Sequence, residues 1–63
     1  MEPHQQRVID EKDQLDEKLA KLKIFRAGKI FSGLPITEQD RLTRQHNIMV
    51  LYSEVLGERI AAF

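Results

Sequence analysis

Between Pro3 and Gly28 the chain carries neither glycine nor proline, and after Pro35 the only residue of either kind is Gly57. Glycine and proline are the strongest local interrupters of regular structure, so the chain can build two long uninterrupted stretches joined by one broken segment. Pro3 suits a first helical turn, where the amide it lacks has no intrahelical partner. The spacing predicts helix 1 over about residues 3–27, a loop over about 28–36 and helix 2 over about 38–62. Along helix 1, Val8, Leu15, Leu19, Leu22 and Phe25 recur at the spacings of one helix face, with a gap after Val8 where the turn offers only Glu11 and Lys12. Along helix 2, Leu42, Met49, Leu56 and Phe63 repeat every seventh residue, and Ile48, Tyr52, Val55 and Ile60 widen that row into a broad apolar face. The expected fold is all-α: one domain over residues 1–63, a two-helix antiparallel hairpin that oligomerises into a helical bundle.

Local signals set further expectations. Gly28 is suited to ending helix 1, and Ile30, Phe31 and Leu34 are expected to fold back over the loop end of the core. Thr37, with Asp40 three residues on, reads as a capping box that starts helix 2. Antiparallel pairing through this loop sets Leu22 opposite Leu42, Leu15 opposite Met49, Val8 opposite Leu56 and Lys12 opposite Tyr52. Gln45 and His46 fall where Leu19 should meet helix 2, and polar insertions of this kind can fix register.

A chain of 63 residues buries a limited share of its surface and needs a staple. Cysteine is absent, so no disulfide can form, and two histidines without cysteines do not make the usual structural zinc set. No carboxylate cluster has the spacing of a calcium loop, and neither a metal nor a cofactor is expected. Oligomerisation is the remaining device. Ile48, Leu51 and Val55 lie to one side of the hairpin contact and are the expected oligomer surface. Gly57, which costs about 1 kcal/mol against alanine inside a helix, is assigned to the same surface as a point of close backbone approach.

Ten basic and ten acidic residues give zero net charge, yet the signs are sorted along the chain. Residues 1–17 hold Glu2, Asp10, Glu11, Asp13, Asp16 and Glu17 against Arg7 and Lys12, whereas residues 18–29 hold Lys18, Lys21, Lys23, Arg26 and Lys29 with no acid. The simplest reading is that these charges complement the helix dipole. In a hairpin, however, Arg41 and Arg44 join the basic group and make the loop end a place to receive an anion. A dipolar hairpin also favours antiparallel docking of copies. The candidate ligand-binding residues are Lys12, Lys18, Arg41, Arg44 and Arg59 for phosphate, with Tyr52 as the aromatic that could stack on a base. Arg7 and Arg59 are read as a salt-bridged cluster with Glu11 at the open end. His4 is read as an exposed first-turn side chain and His46 as a hydrogen-bonded residue of the seam. Neither lies near a serine or a second histidine in a catalytic spacing, and no phosphate-binding loop, dinucleotide fingerprint, nucleophile elbow or metalloprotease motif occurs. No catalytic residue is assigned, and the chain is expected not to be an enzyme. Its longest apolar run, Ile48 to Tyr52, is far short of a membrane span, and its opening residues are unlike a signal peptide. A cytoplasmic protein without a membrane partner is expected.

The stretch His4-Gln5-Gln6-Arg7-Val8-Ile9, followed by Glu11-Lys12, Leu15, Lys18-Leu19, Leu22 and Phe25, resembles a family of short helical proteins of tailed phages and prophages, some related to crAss-like phages. Phe31, Leu34-Pro35, Glu38-Gln39, Leu42, Gln45, Met49, Tyr52-Ser53, Leu56 and Arg59-Ile60 extend the resemblance over most of the chain. It implies a phage-encoded protein working in the cytoplasm of an infected bacterium, and it carries over no site residues. By analogy with other small phage proteins, the leading expectation is a counter-defence or host-takeover binding protein that acts as an oligomer. Its partner would be a host defence protein or a small anionic nucleotide second messenger, held in pockets between copies. One alternative is a bundle that binds RNA or DNA, similar in architecture to the plasmid copy-number protein Rop, against which zero net charge counts. The other is a structural scaffold.

Overall fold

The computed structural model describes residues 1–63 as three helices: α1, Pro3–Arg26; α2, Lys29–Ser32; and α3, Ile36–Ala61. Helices α1 and α3 form the antiparallel hairpin, a rod of 46 × 14 × 13 Å. Neither long helix is apolar enough to cross a membrane.

Helix α1 starts with Pro3 in its first turn, and the Glu2 amide donates to the Gln5 side-chain oxygen at 3.0 Å. It ends at Arg26 without any left-handed residue, since no glycine has a positive φ. Gly28 is extended (φ −96°, ψ 172°) and leads into the four-residue α2, which occupies part of the expected loop. Helix α3 begins two residues earlier than the capping-box reading required. Pro35 (φ −55°, ψ 146°) serves as its N-cap and gives no side-chain cap bond, so the expected cap at Thr37 does not form. Proline already holds the φ that a helix entry needs, and the helix therefore starts as soon as Pro35 is passed. Gln39 does the tying instead: its side-chain amide donates to the Leu34 carbonyl at 2.9 Å and the Ser32 carbonyl at 3.3 Å, closing the loop on the first turn of α3.

The apolar residues expected along the seam are covered to differing extents: Val8 and Leu56 are buried, and Leu15, Met49, Leu22 and Leu42 are half-buried. The loop behaves less uniformly. Phe31 and Leu34 are half-buried, whereas Ile30 remains 71% exposed because α2 turns it away from the hairpin.

Two helices in contact have only one seam, and here it buries just Val8, Leu56 and Ser53. The chain exposes 4865 Å², where a compact monomer of its mass would expose about 4200 Å². Many large apolar side chains are left exposed, Ile48 and Leu51 among them. Leu56, the one large side chain with no exposure, is the anchor of the hairpin. Leu56→Ala should therefore lower unfolding stability by about 2–5 kcal/mol in chemical denaturation. Ile30→Ala, made on the exposed loop, should change it by no more than about 0.5 kcal/mol.

Candidate functional site

The gap in the apolar stripe of helix 1 is filled by a polar contact across the hairpin. Lys12 donates from its ammonium to Asp16, one turn on in α1, at 2.7 Å, and to the Ser53 hydroxyl of α3 at 3.0 Å. Ser53 in turn donates to the other Asp16 carboxylate oxygen at 2.5 Å. The three groups close a triangle in which the buried hydroxyl both accepts and donates, so burying it leaves nothing unpaired. The Lys12 ammonium and the Ser53 hydroxyl beside Asp16 hold its carboxyl below the ordinary carboxylate range, hydrogen bonding from Lys12 being the larger cause. Lys12 thus meets Ser53 rather than Tyr52.

This contact explains Gly57. A Cβ placed there would stand 3.4 Å from Cε of Lys12, so the missing side chain is the groove along which the lysine stem crosses α3. Gly57 belongs to the seam inside one chain and not to the expected oligomer surface. Lys12 is likewise committed to Asp16 and Ser53 and is a structural residue, not one free to meet a phosphate.

At the loop end, Arg26 donates to the Thr43 hydroxyl at 3.2 Å and lies 5.8 Å over the Phe31 ring, which meets Phe25 edge-on at 6.4 Å. Its Nε is buried with no partner. This arginine therefore packs the loop end. Arg41 is paired with Glu38 at 2.7 Å and Lys21 with Glu17 at 3.2 Å, so the basic group is partly neutralised by its own helices. The expected cluster of Arg7, Arg59 and Glu11 contains no ion pair; the chain has three, all between residues of one helix. His46 is half-buried, with Nδ1 3.4 Å from the Asn47 side-chain oxygen, and His4 is exposed.

Of the expected ligand residues, Arg44, Tyr52 and Arg59 remain exposed on α3 without an ion pair, and Lys18 is exposed on α1. Tyr52 and Arg59 are seven residues apart, two helical turns, and so share one side of α3 about 10 Å apart along its axis. Ile48, Leu51 and Val55, the expected oligomer residues, are exposed on the same uncovered flank. The surface of a single chain forms no pocket. Cation, aromatic ring and apolar strip are thus gathered on one open helix face. Asp16, Ser53, Arg26 and Thr43 carry the polar organisation of the hairpin, and none of them stood out in the sequence; the spacing of Lys12 and Asp16 was the one available signal, and it is shared by many ordinary surface pairs.

A family model described as Sequestin matches residues 2–62, which takes in both long helices and the loop between them. The chain belongs to the Sequestin family. No curated protein and no solved structure matches it. The family name suggests a binding or sequestering protein.

Two outcomes test the seam of this Sequestin hairpin. Asp16 has a folded pKa depressed below its unfolded value, so its contribution is present above about pH 4 and is lost as pH falls through the folded value. Thermal unfolding followed across pH 2–7 should show that loss, and Asp16→Asn should remove this component of the acid dependence. Gly57→Ala exchanges a better helix former for a small shift of the flexible lysine stem and should be tolerated. Gly57→Leu should displace Lys12 and destabilise the hairpin by about 1–3 kcal/mol in the same melts.

Proposed function

We propose that this protein is a non-enzymatic binding protein that sequesters a small anionic ligand of the nucleotide second-messenger type at a surface made by more than one copy. The observation that carries the reading is the side of α3 where Tyr52 and Arg59 stand two turns apart, both exposed and neither engaged within the chain. An exposed tyrosine offers a ring on which a base can stack, and an unpaired guanidinium offers a planar pair of donors for a phosphate. Arg44 and Lys18 are further unpaired cations. Since a single chain forms no pocket, enclosing a small molecule requires walls from a second copy. The family name supports binding as the activity. The resemblance to short phage proteins supports the setting, the cytoplasm of an infected bacterium, where removing a defence signal needs only stoichiometric capture and no catalysis.

A bundle that binds RNA fits less well. Zero net charge gives no long-range attraction for a polyanion.

Calorimetric titration of the whole protein with cyclic nucleotides at low salt should show binding. Tyr52→Ala and Arg59→Glu should each weaken it roughly tenfold or more, in keeping with the loss of a stacked base or a phosphate contact. Gel shift with short RNA should show little binding at physiological salt. If the protein binds no nucleotide yet captures a single host protein from lysate, blocking a protein replaces sequestering a signal.

A further inference from the structure

The uncovered flank of α3 is symmetric in its spacing. Arg44, Leu51 and Glu58 form one row at seven-residue intervals, and Gln45, Tyr52 and Arg59 form the adjoining row. Between the rows lie Ile48 and Val55. Each set is centred on the same level of the helix, at Leu51, at Tyr52 and midway between them. A surface with that property is complementary to itself when a second helix is laid against it antiparallel, because a two-fold axis at that level returns each row to its own row.

We propose that this flank is the interface of an antiparallel α3–α3 homodimer, with Ile48 of each copy packed on Val55 of the other. In that arrangement Leu51 meets Leu51 and Tyr52 meets Tyr52 on the axis. Arg44 stands beside Glu58 of the second copy at both ends of one row, giving two symmetric ion pairs. Both residues are exposed and lack an ion pair within the chain. The four central apolar side chains are between 44% and 65% exposed in the single chain, in a protein whose own seam buries only two apolar residues. Charge and spacing therefore agree on a second copy as the occupant. The other row leaves Arg59 without a carboxylate, near Gln45 of the second copy, and brings the two tyrosines between the two Arg59 side chains. This pairing deepens the sequestering function without depending on it: it names the second copy's contribution to the aromatic and cationic site, and it stands or falls on assembly alone.

Sedimentation of the ligand-free protein at micromolar concentration should report a dimer or an even multiple of it. Arg44→Glu and Glu58→Arg should each weaken the dimer by about tenfold, because each places like charges together twice, and the double exchange should restore it. Circular dichroism monitors the fold of all three variants, which alter only exposed positions. Leu51→Cys, in a chain with no other cysteine, should form an intermolecular disulfide on mild oxidation, whereas Ile30→Cys on the loop should form much less. A monomeric wild type, a dimer indifferent to the charge exchanges, or a Leu51→Cys variant that crosslinks no better than the loop variant overturns the proposal. A dimer that behaves as expected but binds no nucleotide refutes the sequestering function and leaves the pairing in place. A ligand-free monomer that assembles through another face when nucleotide is added overturns the pairing and leaves the sequestering function in place.

Discussion

Two helices can touch along one line only, and everything else in this molecule follows from how little that line can bury. A three- or four-helix bundle surrounds each core side chain with neighbours on several sides, whereas a hairpin covers each from one. Val8 and Leu56 are the apolar side chains that become buried, and the rest of the seam is half-covered. Hydrophobic burial scales with the area removed from water, so a seam this thin has little to set against the entropy of ordering two long helices. The hairpin therefore leaves the apolar strip of α3 uncovered.

Within so thin a seam, the triangle of Lys12, Asp16 and Ser53 has an importance beyond its energy. A partly exposed ion pair is worth little as a contribution to stability, and Asp16 is 44% exposed. Its value lies in what it forbids. Sliding α3 by one residue would take the Ser53 hydroxyl away from both charges and put a tyrosine or a glutamate in its place, whereas apolar side chains alone would tolerate the slip with modest repacking. Gly57 serves the same end by leaving room for the lysine stem. Register in turn decides which residues of α3 look outward, so the polar triangle inside the hairpin fixes the composition of the open face.

The long helices and their pairing were legible from where glycine and proline fall and from the heptad of Leu42, Met49 and Leu56, because those signals act through backbone sterics and gross burial. The sites where side chains choose among partners were not. Lys12 looked like a free cation, since an i, i+4 pair with Asp16 is ordinary on a helix surface and Ser53 sits in a run whose neighbours are more conspicuous. Arg26 was counted with the basic loop end, although its guanidinium is spent on Thr43 and on the face of Phe31. Thr37 had the pattern of a cap, but Pro35 had already started the helix. Gly57 was rightly singled out and wrongly placed, because an interior glycine reports a close neighbour without saying whether that neighbour is another copy or a side chain of the same chain.

Neutrality acquires a meaning once the free charges are separated from the paired ones. A protein that must hold a small anion in the presence of abundant nucleic acid faces competition from polyanions, whose affinity grows with the number of phosphates contacted. A uniformly basic surface would be occupied by them. Here Lys12, Lys21 and Arg41 are matched by carboxylates on their own helices, and Glu2, Asp10, Glu11 and Asp13 at the other end of α1 oppose the remaining positive charge at long range. Of the cations left without an ion pair, Arg59 shares one side of α3 with the Tyr52 ring, and with no net charge behind it attracts an anion only once it is within about a Debye length. Such a field is too local to hold a strand of RNA but sufficient for one or two phosphates, and enclosing them between two copies would strengthen each contact by excluding water. On the proposed function, the zero net charge that weakens the case for a nucleic-acid partner is the condition under which exposed cations would discriminate a small nucleotide from a polymer.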